Sequence, residues 1–186
     1  MTDNPIALFD AAVAHTDGVI AAVRPEQLAD PSPCAGWTVR DVINHLVTGN
    51  LLFTAIVAGT PPPDRSRDHL GDDPVAAFRD SINGLSDAFA KHDVLSGTYA
   101  TPIGEGSGTL LVHMRFNELM VHGWDVAKAT GQSTDFDPDL VAAAMAGFEA
   151  VSFLPRGEGK PFGDARPTPA DATAADRLAA FLGREV

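Results

Sequence analysis

Apolar residues recur along this chain at helical spacing, and strict alternation of the kind a half-buried strand shows is almost absent. Ile6, Phe9, Val13, Ile20 and Val23, with Thr16 among them, mark a first stripe; Asn4 stands where a cap belongs, Pro5 suits the first helical position, and Pro25 closes the segment. Pro31 to Gly36 reads as an ordered turn, because two prolines and a glycine block regular structure there. Thr38 with Asp41 three residues later is a capping pair. Val39, Val42, Ile43, Leu46, Val47, Phe53 and Val57 then carry the period of a second helix. The stretch from Gly59 to Asp73, with Pro61, Pro62 and Pro63, is a loop and a candidate lid or rim.

Asp73-Pro74 repeats the cap-then-proline signal, and Phe78, Ile82, Leu85 and Phe89 predict a third helix closing near His92. Leu95 to Gly108 reads as loop, in which Gly97 to Thr101 could add a short extended piece. A fourth helix is expected from about Thr109 to Thr130, ended by Gly131. Asp137-Pro138 opens a fifth through Leu140, Ala144, Phe148 and Val151. Leu154 to Ala172 is irregular, and Asp176 to Leu182 offers a short last helix. The expectation is an all-α protein in one domain, 1–186, with a core bundle over about 5–131 and C-terminal helices and tail over about 137–186 packed on it.

Composition agrees: Ala, Val and Leu dominate the apolar residues and Tyr occurs once, which favours helix over sheet. A formal net charge of −12 repels phosphate backbones and anionic headgroups, so neither nucleic acid nor a membrane surface is an expected partner. The N-terminal residues lack the basic flank and apolar core of a signal peptide. No uninterrupted apolar run reaches the roughly 18 residues of a membrane span, and a cytoplasmic location is expected. Cys34 is the single cysteine, so any metal must be held by imidazoles and carboxylates.

The fourth helix carries the candidate chemistry. Glu118 and His122 stand four residues apart on one face, close enough to chelate one ion, although such pairs are also common as solvated surface pairs. Leu111, Met114, Leu119, Val121 and Trp124 make this helix apolar around most of its circumference. The pair is then expected inside, where a carboxylate needs compensation by a cation or by a plain ion pair with the imidazole. His45 sits at the edge of the second helix's apolar stripe and can meet a neighbouring helix, as a ligand or as a satisfied core residue. Together His45, Glu118 and His122 would form a three-ligand set with an open coordination position. The order Glu-x-x-x-His differs from the His-Glu-x-x-His of zinc proteases, and a protease is not indicated.

Gly36-Trp37-Thr38-Val39-Arg40-Asp41-Val42-Ile43-Asn44-His45-Leu46, joined with Asn117-Glu118-Leu119-Met120-Val121-His122-Gly123-Trp124-Asp125-Val126-Ala127, resembles the N-terminal domain of the mycothiol-dependent maleylpyruvate isomerases and their small actinobacterial metal-binding relatives. The resemblance spans roughly residues 5 to 131, and the tail segments Phe162-Gly163 and Ala179 to Arg184 are similar to the small relatives. It implies a DinB-like four-helix metal-binding bundle with His45, Glu118 and His122 as ligands. It implies zinc as the expected ion with nickel as the alternative, and mycothiol as a co-substrate. The isomerases carry a further C-terminal domain for which 186 residues leave no room, so isomerisation of maleylpyruvate itself is not expected.

Asp125, three residues beyond His122, returns to the ligand face and could orient His122 or Arg115, or form a surface salt bridge. Trp37 and Trp124 are expected in the core, and Cys34 as an inert residue outside the ligand set. His15, His69, His92 and His113 show no partner spacing and are expected at the surface. The leading functional expectation is a metal-dependent thiol S-transferase or isomerase acting on a small electrophile. A non-catalytic metal- or small-ligand-binding bundle and a metal-assisted hydrolase are the alternatives, and a monomer or a homodimer fits either class.

Overall fold

The structure, a computed structural model, describes residues 4–91, 93–101, 104–153, 155–157, 160 and 162–186. The expected surface position of His92 lies outside them. Four helices form the bundle: α1 (Pro5–Ala21), α2 (Val39–Ala58), α3 (Pro74–Phe89) and α4 (Gly108–Ala129). The starts follow the sequence signals. Asn4 and Asp73 cap helices that carry proline in the first turn, and Thr38 and Asp41 close a reciprocal capping box. Ser107 caps α4, one to two residues ahead of the expected start.

A short 3-10 helix, Pro25–Ala29, follows α1 and was not expected. The open question between α3 and α4 resolves as a hairpin, β1 (Thr98–Thr101) paired antiparallel with β2 (Gly104–Ser107). Its second strand, Gly-Glu-Gly-Ser, carries no strand signal; pairing alone defines it. Two further helices, α5 (Pro138–Ala150) and α6 (Ala174–Phe181), pack on α4 and on each other.

Inside the bundle α4 packs against α1 and α2, and α2 also against α3. Every residue from Leu119 to Ala127 is buried, so α4 is the central helix that its all-round apolar pattern predicts. Thr16 of α1 answers one polar demand of that packing: its hydroxyl donates to the Leu119 carbonyl at 3.1 Å in the core. By length and hydropathy α2 could cross a membrane; here Val42, Ile43, Leu46, Val47 and Phe53 spend that hydropathy in the core.

The Gly59–Asp73 segment is a rim strapped to α2. Asn44 Nδ2 donates to Arg67 O, the His69 amide donates to Asn44 Oδ1, Arg40 pairs with Asp68, and Leu70 is buried.

Candidate functional site

The turn ahead of α2 is closed by an isolated bridge between Pro31 and Thr38, and Ser32 binds the Trp37 carbonyl through both its amide and its hydroxyl. That turn delivers Cys34 and Trp37 to the face where α2 and α4 meet. Nearly two turns into α2, His45 faces α4, and Glu118 and His122 answer from successive turns of α4.

The structure brings these three together. His45 Nε2 lies 2.9 Å from Glu118 Oε2, and His122 Nε2 lies 3.6 Å from the same oxygen. One donor atom from each residue falls within 4.8 Å of the other two. His45 and Glu118 line a cleft of about 1360 Å³ between α2, α4 and α5, whose walls include Leu52, Met114, Leu140 and Ala143. Two imidazoles and one carboxylate converging this closely could hold a divalent cation of borderline softness with coordination positions to spare.

Asp125 orients His122, not Arg115. It is fully buried, and its Oδ2 accepts the Nδ1–H of His122 at 2.9 Å, which leaves Nε2 facing Glu118. The alternative of a surface salt bridge is thereby excluded. Arg115 is also buried, but it serves the other side of the site. Its guanidinium donates to Asn50 Oδ1 at 2.7 Å and to Leu46 O at 3.3 Å, and stands 3.9 Å from Glu118 Oε2. Burial pulls Arg115 down to about 10, against the charge of Glu118, so it remains a cation at neutral pH.

Burial opposes charge on Glu118, His122 and Asp125, yet in each of the three the partners outweigh it. For Glu118 the His45 hydrogen bond and the charges of His122, His45 and Arg115 hold the carboxyl far below the usual range. Burial likewise disfavours a charged His122, but the hydrogen bonds to Asp125 and Cys34 and the nearby carboxylates raise it to about 10. Asp125 is held at about 2 by His122 and Arg184 despite its burial. Without a metal, the proton on His122 therefore supplies part of the positive charge that the two carboxylates require. A cation bound at Nε2 would take over that part.

Sequence reasoning missed Arg184. Its Nε and Nη2 donate to the two oxygens of Asp125 at 3.2 and 3.1 Å, and its Nη2 stands 3.4 Å from Cys34 Sγ. No periodicity links residue 184 to residue 125; the available signal was the likeness of the Ala179 to Arg184 tail segment to the small relatives, which marked the segment without giving Arg184 a role. Cys34 is outside the three-donor set, as expected, but it is not inert packing. Its thiol donates to Asp125 Oδ2 at 3.1 Å, on the Nδ1 side of His122. Cys34, His122 and Asp125 form a second close donor group, but the Arg184 guanidinium already fills its cationic role.

The expectation that both tryptophans are core fails for Trp37. Trp124 is 1% exposed, whereas Trp37 is 37% exposed and lies over His45 and His122, with ring centroids 5.1 and 6.3 Å apart. Trp37 precedes the cap of α2 and so falls outside the helical period that carries its neighbours inward. The surface placement of His15 and His113 is also corrected: His15 is half-buried against Phe136, and His113 is half-buried on the cleft wall; His69 is partly exposed on the rim, where it binds the Asp64 carbonyl.

A family model described as Mycothiol maleylpyruvate isomerase N-terminal domain matches residues 9–127. The chain is 40% identical over 184 residues to an uncharacterized protein of Mycobacterium tuberculosis strain CDC 1551 / Oshkosh, an alignment covering 98% of this chain and 99% of the relative. The same values hold for an uncharacterized protein of a second strain of that species. The fold is similar to the crystal structure of the mycothiol-dependent maleylpyruvate isomerase, with a TM-score of 0.64 at 16% identity over 76% of this chain and 66% of that one. A histidine-to-alanine mutant of that isomerase gives a TM-score of 0.65 at 16% identity, over 79% and 67% of the two chains. The alignment thus spans about two thirds of the isomerase's length, and at that identity the likeness concerns the fold.

Proposed function

We propose that this chain, which belongs to the mycothiol maleylpyruvate isomerase N-terminal-domain family, is a metal-dependent enzyme that adds a low-molecular-weight thiol to a small electrophile. Mycothiol is the thiol, and the outcome is S-transfer or, where the thiol leaves again, isomerisation. The observation that carries this reading is the convergence of His45 Nε2, Glu118 Oε2 and His122 Nε2 beside a large cleft.

These three residues would hold the metal, with zinc the expected ion and nickel the alternative. Bound there, a divalent cation supplies Lewis acidity that lowers the pKa of a thiol in its open position, so that a thiolate is available at neutral pH. The protein's own residues do the rest. Asp125 holds the His122 ring with Nε2 directed at the site, and Arg115 supports the Glu118 carboxylate from the dry side. Trp37 covers the imidazoles and limits water at the reacting sulfur.

The cleft, about 1360 Å³, exceeds the roughly 300–1,000 Å³ of a typical single-ligand pocket, which favours two substrates held together. Leu52, Met114, Leu140 and Ala143 offer carbon surface, so an electrophile with an apolar body suits it.

The test starts from purified protein analysed for bound metals beside His45→Ala, Glu118→Gln and His122→Ala, each checked for folding. About one equivalent of metal in the parent and its loss in the variants is expected. Mycothiol-dependent consumption of an electrophile such as a halodinitrobenzene should then stop on chelation and return with zinc. Conjugation that survives complete metal removal, or unchanged metal content in the three variants, overturns the proposal.

A further inference from the structure

The two tail segments Phe162-Gly163 and Ala179 to Arg184 meet in the structure, and their meeting explains where Arg184 goes. The Gly163 amide donates to Leu182 O at 3.1 Å and the Arg166 amide to Ala180 O at 2.9 Å, which ties the strap after α5 to the end of α6. Leu182 is fully buried and anchors that end in the core. Gly183 has φ 93°, and a Cβ there would stand 2.6 Å from Gly163 Cα, so two backbones touch at a position only glycine tolerates. The chain reverses at this contact, and the Arg184 amide returns to Ala179 O at 3.0 Å. The Arg184 side chain, 12% exposed, then points inward to Asp125.

We infer that Arg184 is a positioning residue for the metal site, acting through Asp125 on His122, and that the C-terminal tail is thereby part of the site without touching it. The inference rests on the metal reading above. Its physical basis is the fork geometry. Nε and Nη2 engage both Asp125 oxygens, at 3.2 and 3.1 Å, which fixes the plane of the carboxylate. Oδ2 of that carboxylate fixes His122 at 2.9 Å, with Nε2 toward Glu118 and His45. Asp125 alone could rotate about its side-chain bonds; clamped from the far side, it holds the imidazole in one orientation. Arg184 lies outside residues 9–127, the stretch shared with the family model, so this clamp belongs to the part of the chain that the match does not cover.

The experiment measures Co²⁺ and Zn²⁺ binding by chelator competition, together with the visible spectrum of bound Co²⁺, for the parent and for Arg184→Met, Arg184→Lys and Arg166→Ala. Circular dichroism and melting of the metal-free proteins check the fold. Arg184→Met should bind about 10–100-fold more weakly, with altered Co²⁺ bands. Arg184→Lys keeps the charge without the fork and should fall between Met and the parent. Arg166→Ala loses tail contacts to Gly183 O and Glu185 without reaching Asp125, and should bind as the parent does. Parent-like affinity and spectrum in folded Arg184→Met overturn the inference and leave the metal reading standing. If Arg184→Met does not fold, parent-like binding by Arg184→Lys overturns it in the same way. Equal weakening in Arg166→Ala also overturns it, by assigning the effect to tail docking in general. A parent that binds neither ion overturns the metal reading itself.

Discussion

Replacing Asp125 with Asn tests the buried charge network at its most connected point. Asp125 is fully buried and accepts from His122, from both arms of Arg184 and from Cys34. An amide of the same shape keeps the volume but removes the charge and turns one acceptor into a donor aimed at other donors. Two routes give the magnitude. Depression of the carboxyl from 3.8 to about 2 corresponds by linkage to about 2 kcal/mol of stability at neutral pH. Leaving a buried arginine without its partner costs about 3–5 kcal/mol in comparable settings. A loss of about 3 kcal/mol is therefore expected, which in a chain of this size lowers the melting temperature by roughly 6–12 °C.

The pH dependence carries the sign. Because the folded pKa of Asp125 lies below its unfolded value, its contribution is present above about 4 and lost as pH falls toward about 2. His122 is raised, so its contribution is complete below about 6.5 and lost as pH rises through about 10. The assay is urea unfolding of the metal-free parent and variant at several pH values between 2 and 10. In the variant the acid loss assigned to Asp125 should disappear and the alkaline loss should shrink. A variant within about 1 kcal/mol of the parent at pH 7 refutes the reasoning, because it would mean that the buried carboxylate is not holding these cations.

Two further outcomes follow from the geometry. Gly183→Ala combines a left-handed backbone, worth about 1–2 kcal/mol against any L side chain, with a Cβ 2.6 Å from Gly163 Cα; the denaturation midpoint should fall by more than the backbone cost alone, and an unchanged midpoint would disprove the close glycine contact. Saturating zinc should raise the melting temperature of the parent, by an amount equivalent to about 2.7 kcal/mol at a hundredfold excess over Kd. The response should reverse with chelator and vanish in Glu118→Gln, and a parent melt indifferent to zinc would contradict a native site.

Much of this molecule was readable from local chemistry. Caps and prolines act within one turn of the chain, so Asn4-Pro5, Thr38 with Asp41, Asp73-Pro74 and Asp137-Pro138 located four helix starts. The all-round apolar pattern of α4 identified it as the central helix, and the four-residue spacing singled out Glu118 and His122; of the pair expected inside, His122 is buried, whereas the Glu118 side chain is 37% exposed at the cleft. His45 was legible as a polar residue at the edge of a buried stripe. Pairing and docking were not legible in the same way, because their free energy comes from partners distant along the chain. The Gly104–Ser107 strand exists only against Thr98–Thr101, and Trp37 lies over the imidazoles because a bridged turn holds it there. Arg184 reaches Asp125 across 59 residues through a glycine contact that leaves no periodic trace. Local sequence determined which helices form and which faces they bury; the folding of the tail determined which cation neutralises Asp125, since that choice depends on three-dimensional proximity alone.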